Sequence, residues 1–162
     1  MRIPLRPLLP TLLALSLAAC GFSPMYAARP GASNPATALA QMEVEPPASR
    51  LEQIVRNELL RTVPPSQQGG GAYLLELNVT ASEASLLGAS GLRRQRLTAI
   101  FALKDKNTSR VLLDGKSFAD ASYHYMGRQF SDERSKEAAQ RVAARELAED
   151  IRTRLAAWFA QH

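Results

Sequence analysis

A single cysteine, Cys20, closes an apolar N-terminal segment, and it restricts how the rest of the chain can fold. Arg2 and Arg6 give that segment a positive start, and Leu8 to Ala19 is apolar apart from Pro10, Thr11 and Ser16. A spanning helix needs about 20 apolar residues. This run is shorter and no stop-transfer segment follows, so residues 1–19 read as a secretory signal that is removed. Cys20 has no second thiol to pair with, so the exported chain is expected to fold by core packing without a disulfide. Removing residues 1–19 from 162 leaves 143, the size of one domain and enough to bury a core.

Leu17-Ala18-Ala19-Cys20 resembles the lipobox of bacterial lipoproteins. Small residues before the cysteine let a peptidase reach the backbone, and the thiol accepts a diacylglyceryl group as a thioether. Each buried methylene contributes about 0.8 kcal/mol, so two or more acyl chains make a durable anchor where one is marginal. Cys20 is therefore the expected lipidation site. Gly21 follows it rather than Asp, which by the enterobacterial sorting rule implies the outer membrane, with the domain on the periplasmic side.

Residues 20–38 are rich in Ala, Pro, Ser and Gly and read as a flexible tether, with a single domain over 39–162. Met42 and Val44 alternate with Glu43 and Glu45, the period of a short strand. After Pro46-Pro47, Ser49 and Glu52 have the spacing of a capping box, and Leu51, Ile54, Val55, Glu58, Leu59 and Thr62 share a helix face. Pro64-Pro65 ends that helix. Tyr73 to Thr80 alternates as a half-buried strand, and Ser82 to Gly91 reads as a small-residue connection. Arg94 to Lys104 and Val111 to Ala121 read as two further strands in an antiparallel meander, with Gly115 a candidate bulge. Ser131 is the expected cap of a long last helix, whose apolar stripe is Ala139, Val142, Ala143, Leu147, Ile151, Leu155 and Trp158. The expected fold is α+β, in the order β-α-β-β-β-α. Two helices pack on one face of a four-stranded, mainly antiparallel sheet.

Catalytic chemistry is not legible. His124 and His162 are the only histidines, with His124 read as a strand-end surface residue and His162 as a frayed terminus. No zinc motif is present, Gly69-Gly70-Gly71 lacks the residues of a phosphate loop, and Gly88-Ala89-Ser90-Gly91 is not a nucleophile elbow. Glu149 and Asp150 sit among arginines as a solvated helix face. The expectation is a non-enzymatic protein without metal or cofactor.

The cations carry more information. Formal net charge is +5, falling to about +3 once Arg2 and Arg6 leave with the signal. In an exported protein that argues against nucleic acid and for lipid phosphate or a polar protein partner. Arg93, Arg94 and Arg96 open one strand and Lys104 and Lys106 close it. Period-two geometry puts Arg94, Arg96 and Lys104 on one face, opposite Leu97 and Phe101. Guanidinium groups match phosphate bidentately, so these five residues are candidates for lipopolysaccharide phosphates. Solubility and protection of exposed strands are the competing explanation.

Cys20-Gly21-Phe22-Ser23-Pro24-Met25-Tyr26 resembles the mature start of the LPS-assembly lipoprotein (LptE) family in its alphaproteobacterial form, with Met25 where Leu is usual. Leu51 to Leu60 is similar to that family's first helix, as is the tail from Tyr123 through Phe130 to Ala138-Ala139, Arg145-Glu146-Leu147-Ala148 and Ile151. The resemblance implies a two-helix, four-stranded α+β domain that plugs the outer-membrane β-barrel LptD and helps pass lipopolysaccharide to the cell surface. An auxiliary lipoprotein of an ABC-type, MCE-like lipid transporter is the alternative. A lipid-anchored periplasmic enzyme would need a nucleophile and base that the sequence does not offer.

Overall fold

The computed structural model describes residues 34–62, 71–86 and 91–162. The signal segment, Cys20, the Cys-Gly-Phe start and the residues around Pro64-Pro65 and Gly88, on which the expected helix end and connection fall, lie outside them.

The described chain runs α1 (Pro35–Ala40), β1 (Met42–Val44), α2 (Arg50–Thr62), β2 (Tyr73–Ser85), β3 (Leu92–Asp105), β4 (Val111–His124) and α3 (Gln129–Phe159). The strands form one sheet in the order β1-β2-β3-β4, with β1 parallel to β2 and the other pairs antiparallel. This is the expected α+β arrangement with one helix added. That helix, α1, begins before the boundary drawn at residue 39. Asn34 caps it by accepting from the Ala36 N–H at 3.0 Å, Pro35 opens it, and Ala38 and Leu39 are buried in the core.

α2 starts as its capping box dictates. The Glu52 N–H donates to Ser49 Oγ at 3.2 Å, and the Ser49 and Ala48 N–H groups donate to Glu52 Oε2. Val55 and Leu59 are fully buried, whereas Thr62, at the end of the expected stripe, is exposed. The core face of the sheet is set by strict alternation. Leu75 and Val79 on β2, and Leu97, Ala99, Phe101 and Leu103 on β3, point under the helices.

α3 covers that face with Ala139, Ala143, Ala144, Leu147, Ala148, Ile151, Leu155, Ala156 and Phe159. The repeated alanines let the helix lie close to the strands, and burying each leucine or isoleucine contributes about 1.5–3 kcal/mol. Val142, assigned to this stripe from spacing, is instead 47% exposed. Over such a long helix the 3.6-residue period drifts, and Ala144 and Ala148 take the inward positions.

Several details differ from expectation. β3 begins at Leu92 and β4 runs to His124, beyond the expected Arg94 and Ala121. β2 continues to Ser85, where a loop was expected, because Ser82 to Ser85 pair in register with Arg96 to Arg93. The sheet irregularity lies between Leu103 and Lys104 rather than at Gly115, which stays in register opposite Phe101. α3 begins at Gln129, so Ser131 lies inside it. Arg128 occupies the cap position without a side-chain bond, and Gly127 at φ +72° turns the chain from β4 into the helix. His162 is not frayed. Its ring stacks on Trp158 at 4.5 Å and Nδ1 lies 3.0 Å from the Trp158 carbonyl oxygen.

Candidate partner and ligand surface

The helices cover one face of the sheet and leave the other open. On β3 the open face carries Arg94, Arg96, Thr98, Ile100, Ala102 and Lys104, all on the opposite side from the buried Gln95, Leu97, Ala99, Phe101 and Leu103. Cross-strand pairing brings Asp120 beside Arg96, Phe118 beside Thr98 and Lys116 beside Ile100. β2 contributes Glu76 and Asn78 opposite Ala102 and Ile100.

Arg94, Arg96 and Lys104 thus share a face, as the alternation requires. They do not form one cluster. Eight residues of extended chain separate Arg96 from Lys104, about 26 Å at strand rise. Arg93 projects to the other side, at the end of the sheet, and Lys106 lies past the far end of β3.

Most of these cations are already engaged. Arg96 holds Asp120 bidentately, Nε to Oδ1 and Nη2 to Oδ2, both at 2.7 Å. Lys104 Nζ meets Glu76 at 2.5 Å, Arg93 meets Glu83 at 2.5 Å, and Lys106 pairs with Glu43. Hydrogen bonding to Arg96 holds the Asp120 carboxyl below its ordinary range against the opposing effect of burial, and Arg94 adds to the lowering. Arg94 itself makes no ion pair among the described residues. All these pairs are partly exposed and screened by solvent, so each contributes little to stability. Their carboxylates can be exchanged for another anion at modest cost.

Sequence reading passed over the apolar centre of this face. Ile100 is 59% exposed and Phe118 is 60% exposed, with the Arg96 guanidinium 4.7 Å from the Phe118 ring centroid. The signal was present, since even-numbered positions of β4 fall on the open side. The surface therefore has ion-paired ends and a middle where Ile100 and Phe118 stand exposed beside Lys116 and Asn78, a mixed composition that suits a protein or lipid contact. No group of His, Cys, Asp and Glu suited to a metal occurs among the described residues, and no helix among them is long and apolar enough to cross a membrane.

Similarity to known proteins runs along this same domain. A crystal structure of a lipoprotein from Caulobacter crescentus CB15 superposes with a TM-score of 0.72 at 20% identity, over 80% of this chain and 97% of that one. A minor lipoprotein from Acinetobacter baumannii superposes at 0.52 with 24% identity, over 72% and 88% of the two chains. Rare lipoprotein B from Shewanella oneidensis superposes at 0.51 with 14% identity, over 71% and 91%. At these identities the likeness establishes the fold. No functionally curated protein matches the chain. The sequence profile of the lipopolysaccharide-assembly family LptE matches residues 39–155, from α1 to the last turns of α3. That match covers most of the chain, which therefore belongs to the lipopolysaccharide-assembly (LptE) family.

Proposed function

We propose that this protein is a lipid-anchored plug and assembly partner of the LptD β-barrel in the outer membrane, attached through Cys20, on the route that carries lipopolysaccharide to the cell surface. Family membership supports the pathway, and the open sheet face is the observation that favours a plug. A barrel lumen is polar and wet. A domain seated in it needs a surface that stays soluble when free and still offers apolar contact when docked. The paired charges from Arg96–Asp120 to Lys104–Glu76, with Ile100 and Phe118 between them, have that character. The helix-covered side carries the core and supplies rigidity. No catalytic step is assigned to the protein.

Arg94, Arg96 and Lys104 are the residues we assign to lipopolysaccharide phosphates. Phosphate would replace Asp120 or Glu76 as the partner of a cation already held in place. Arg93 faces away from that surface, and Lys106 sits beyond the end of β3 on its ion pair with Glu43, so both would contribute only general positive charge.

The test is an affinity pull-down of the full chain, tagged at its C-terminus, from detergent-solubilised outer membrane, followed by mass spectrometry. A stoichiometric large β-barrel is expected. Recovery of inner-membrane ABC or MCE-type subunits in its place would reassign the protein as an auxiliary transporter lipoprotein.

A further inference from the structure

A cavity of about 250 Å³ lies where the ends of β2, β3 and β4 meet the first turns of α3, away from the open face. Tyr123 and Tyr125 form part of its wall, and Asp132 lies in it. Asp132 is 7% exposed, yet only one of its carboxylate oxygens is used. Oδ1 accepts from the Met126 N–H at 2.8 Å, while Oδ2 is buried and has no hydrogen-bond partner among the described residues. Leaving a buried acceptor unmet costs roughly 1–3 kcal/mol, and more when it is charged, so this oxygen calls for a donor.

The cations nearby do not serve it. Arg93 and Lys136 also line the cavity, but both are committed to Glu83, at 2.5 and 3.1 Å. Arg93 is further held 3.7 Å over the Tyr125 ring. The lining as a whole sets three carboxylates, Glu83, Asp132 and Glu133, against the two cations, a net charge of −1 that is reduced by roughly half a positive charge from the α3 N-terminus. Next along the chain to lining residues, Met126 and Phe130 are 68% and 78% exposed, apolar surface that a partner protein could cover.

We infer that this cavity is a docking pocket for one basic side chain, Arg or Lys, of a partner protein, whose cationic group donates to Asp132 Oδ2 between Tyr123 and Tyr125. The assignment goes beyond the plug reading and stands on the cavity's own chemistry, whichever protein carries the residue.

The test is a ligand-observed NMR titration of the full chain in detergent with Nα-acetyl-arginine methylamide, its lysine counterpart, and the neutral Nα-acetyl-norleucine methylamide. The two cationic probes should bind and the neutral one should not. Asp132→Asn should weaken cationic binding roughly tenfold or more. Asp132 also holds the turn at Met126, so a second variant guards against misfolding. Lys136→Met removes a positive charge from the wall and should strengthen cation binding roughly two- to fivefold. A fold defect would not produce a gain. Equal binding of all three probes, no binding of any, or weaker binding by Lys136→Met would overturn the proposal, the last because it marks a site for anions.

Discussion

Gly115 lies directly under the ring of Phe101, its cross-strand partner, so close that a methyl group on Gly115 would stand 2.8 Å from Phe101 Cζ. Phe101 is 2% exposed and packed in the core, so the ring has nowhere to swing. The glycine is there for space on a regular strand. Gly115→Ala is expected to destabilise the domain by about 1–3 kcal/mol, the usual cost of overpacking. Chemical denaturation of the two proteins checks this, and an unchanged midpoint would mean that the strand yields at this point.

Glu52 is a buried carboxylate that ties three parts of the chain together. Besides its bonds at the start of α2, its Oε1 accepts from the Val79 N–H at 3.4 Å, meeting β2 beyond the reach of the three-residue β1. Glu52→Ala should cost about 1–3 kcal/mol by orphaning these donors. Ser49→Ala removes only the reciprocal cap and should cost about 1 kcal/mol. The ratio of the two, by urea unfolding, separates the capping role from the sheet-edge role.

Stability should decline in acid. Hydrogen bonding to Arg96 lowers the Asp120 carboxyl, and hydrogen bonding to Arg93 lowers that of Glu83. A group whose folded pKa lies below its unfolded one stabilises fully above the unfolded value, about 3.9 for Asp and 4.3 for Glu, and that contribution disappears as pH falls through the folded value. The decline should therefore begin below about pH 4.5. It should be shallower in Asp120→Asn, as read from urea midpoints across the acid range.

Replacing Arg94, Arg96 and Lys104 together by Ser should weaken lipopolysaccharide binding by the full chain roughly tenfold or more, since each charge-assisted bond contributes about 1.5–3 kcal/mol. With Arg96 and Lys104 at opposite ends of β3, the Arg94/Arg96 pair alone should account for a separable share. Unchanged affinity in a folded triple variant would remove direct lipid binding and leave the plug reading intact.

Ile100→Ser with Phe118→Ser alters two exposed side chains, so stability should move by no more than about 0.5 kcal/mol. Recovery of the barrel in the pull-down should nevertheless fall several-fold. A full yield of barrel with both side chains removed would show that a different surface makes the contact.

Much of this molecule is legible along the chain because local periodicity carries it. The Ser49–Glu52 spacing named the start of α2, and the alternation from Tyr73 to Thr80 and from Arg94 to Lys104 placed each side chain on its proper face. The misreadings occur where local signals are weak and long-range contacts decide. Ser82 to Ser85 look like loop, yet they are held as strand by pairing with Arg93 to Arg96 and by the Arg93–Glu83 contact. Pro35 to Ala38 look like tether, yet they open the helix Pro35–Ala40 because Ala38 and Leu39 find the core. Ser131 looks like a cap, yet Asp132 turns back to the Met126 N–H and the helix begins earlier.

By itself the sequence determined the order of the main elements, the faces of the strands and the family resemblance, all properties of neighbours a few residues apart. Only the tertiary structure decided which charges are free. Arg96 meets Asp120 across 24 residues of chain, Lys104 meets Glu76 across 28, and Asp132 is left with an unmet oxygen because Glu83 has drawn both nearby cations to itself. Electrostatic partnership depends on distance in space, and a fold sets those distances independently of separation along the chain.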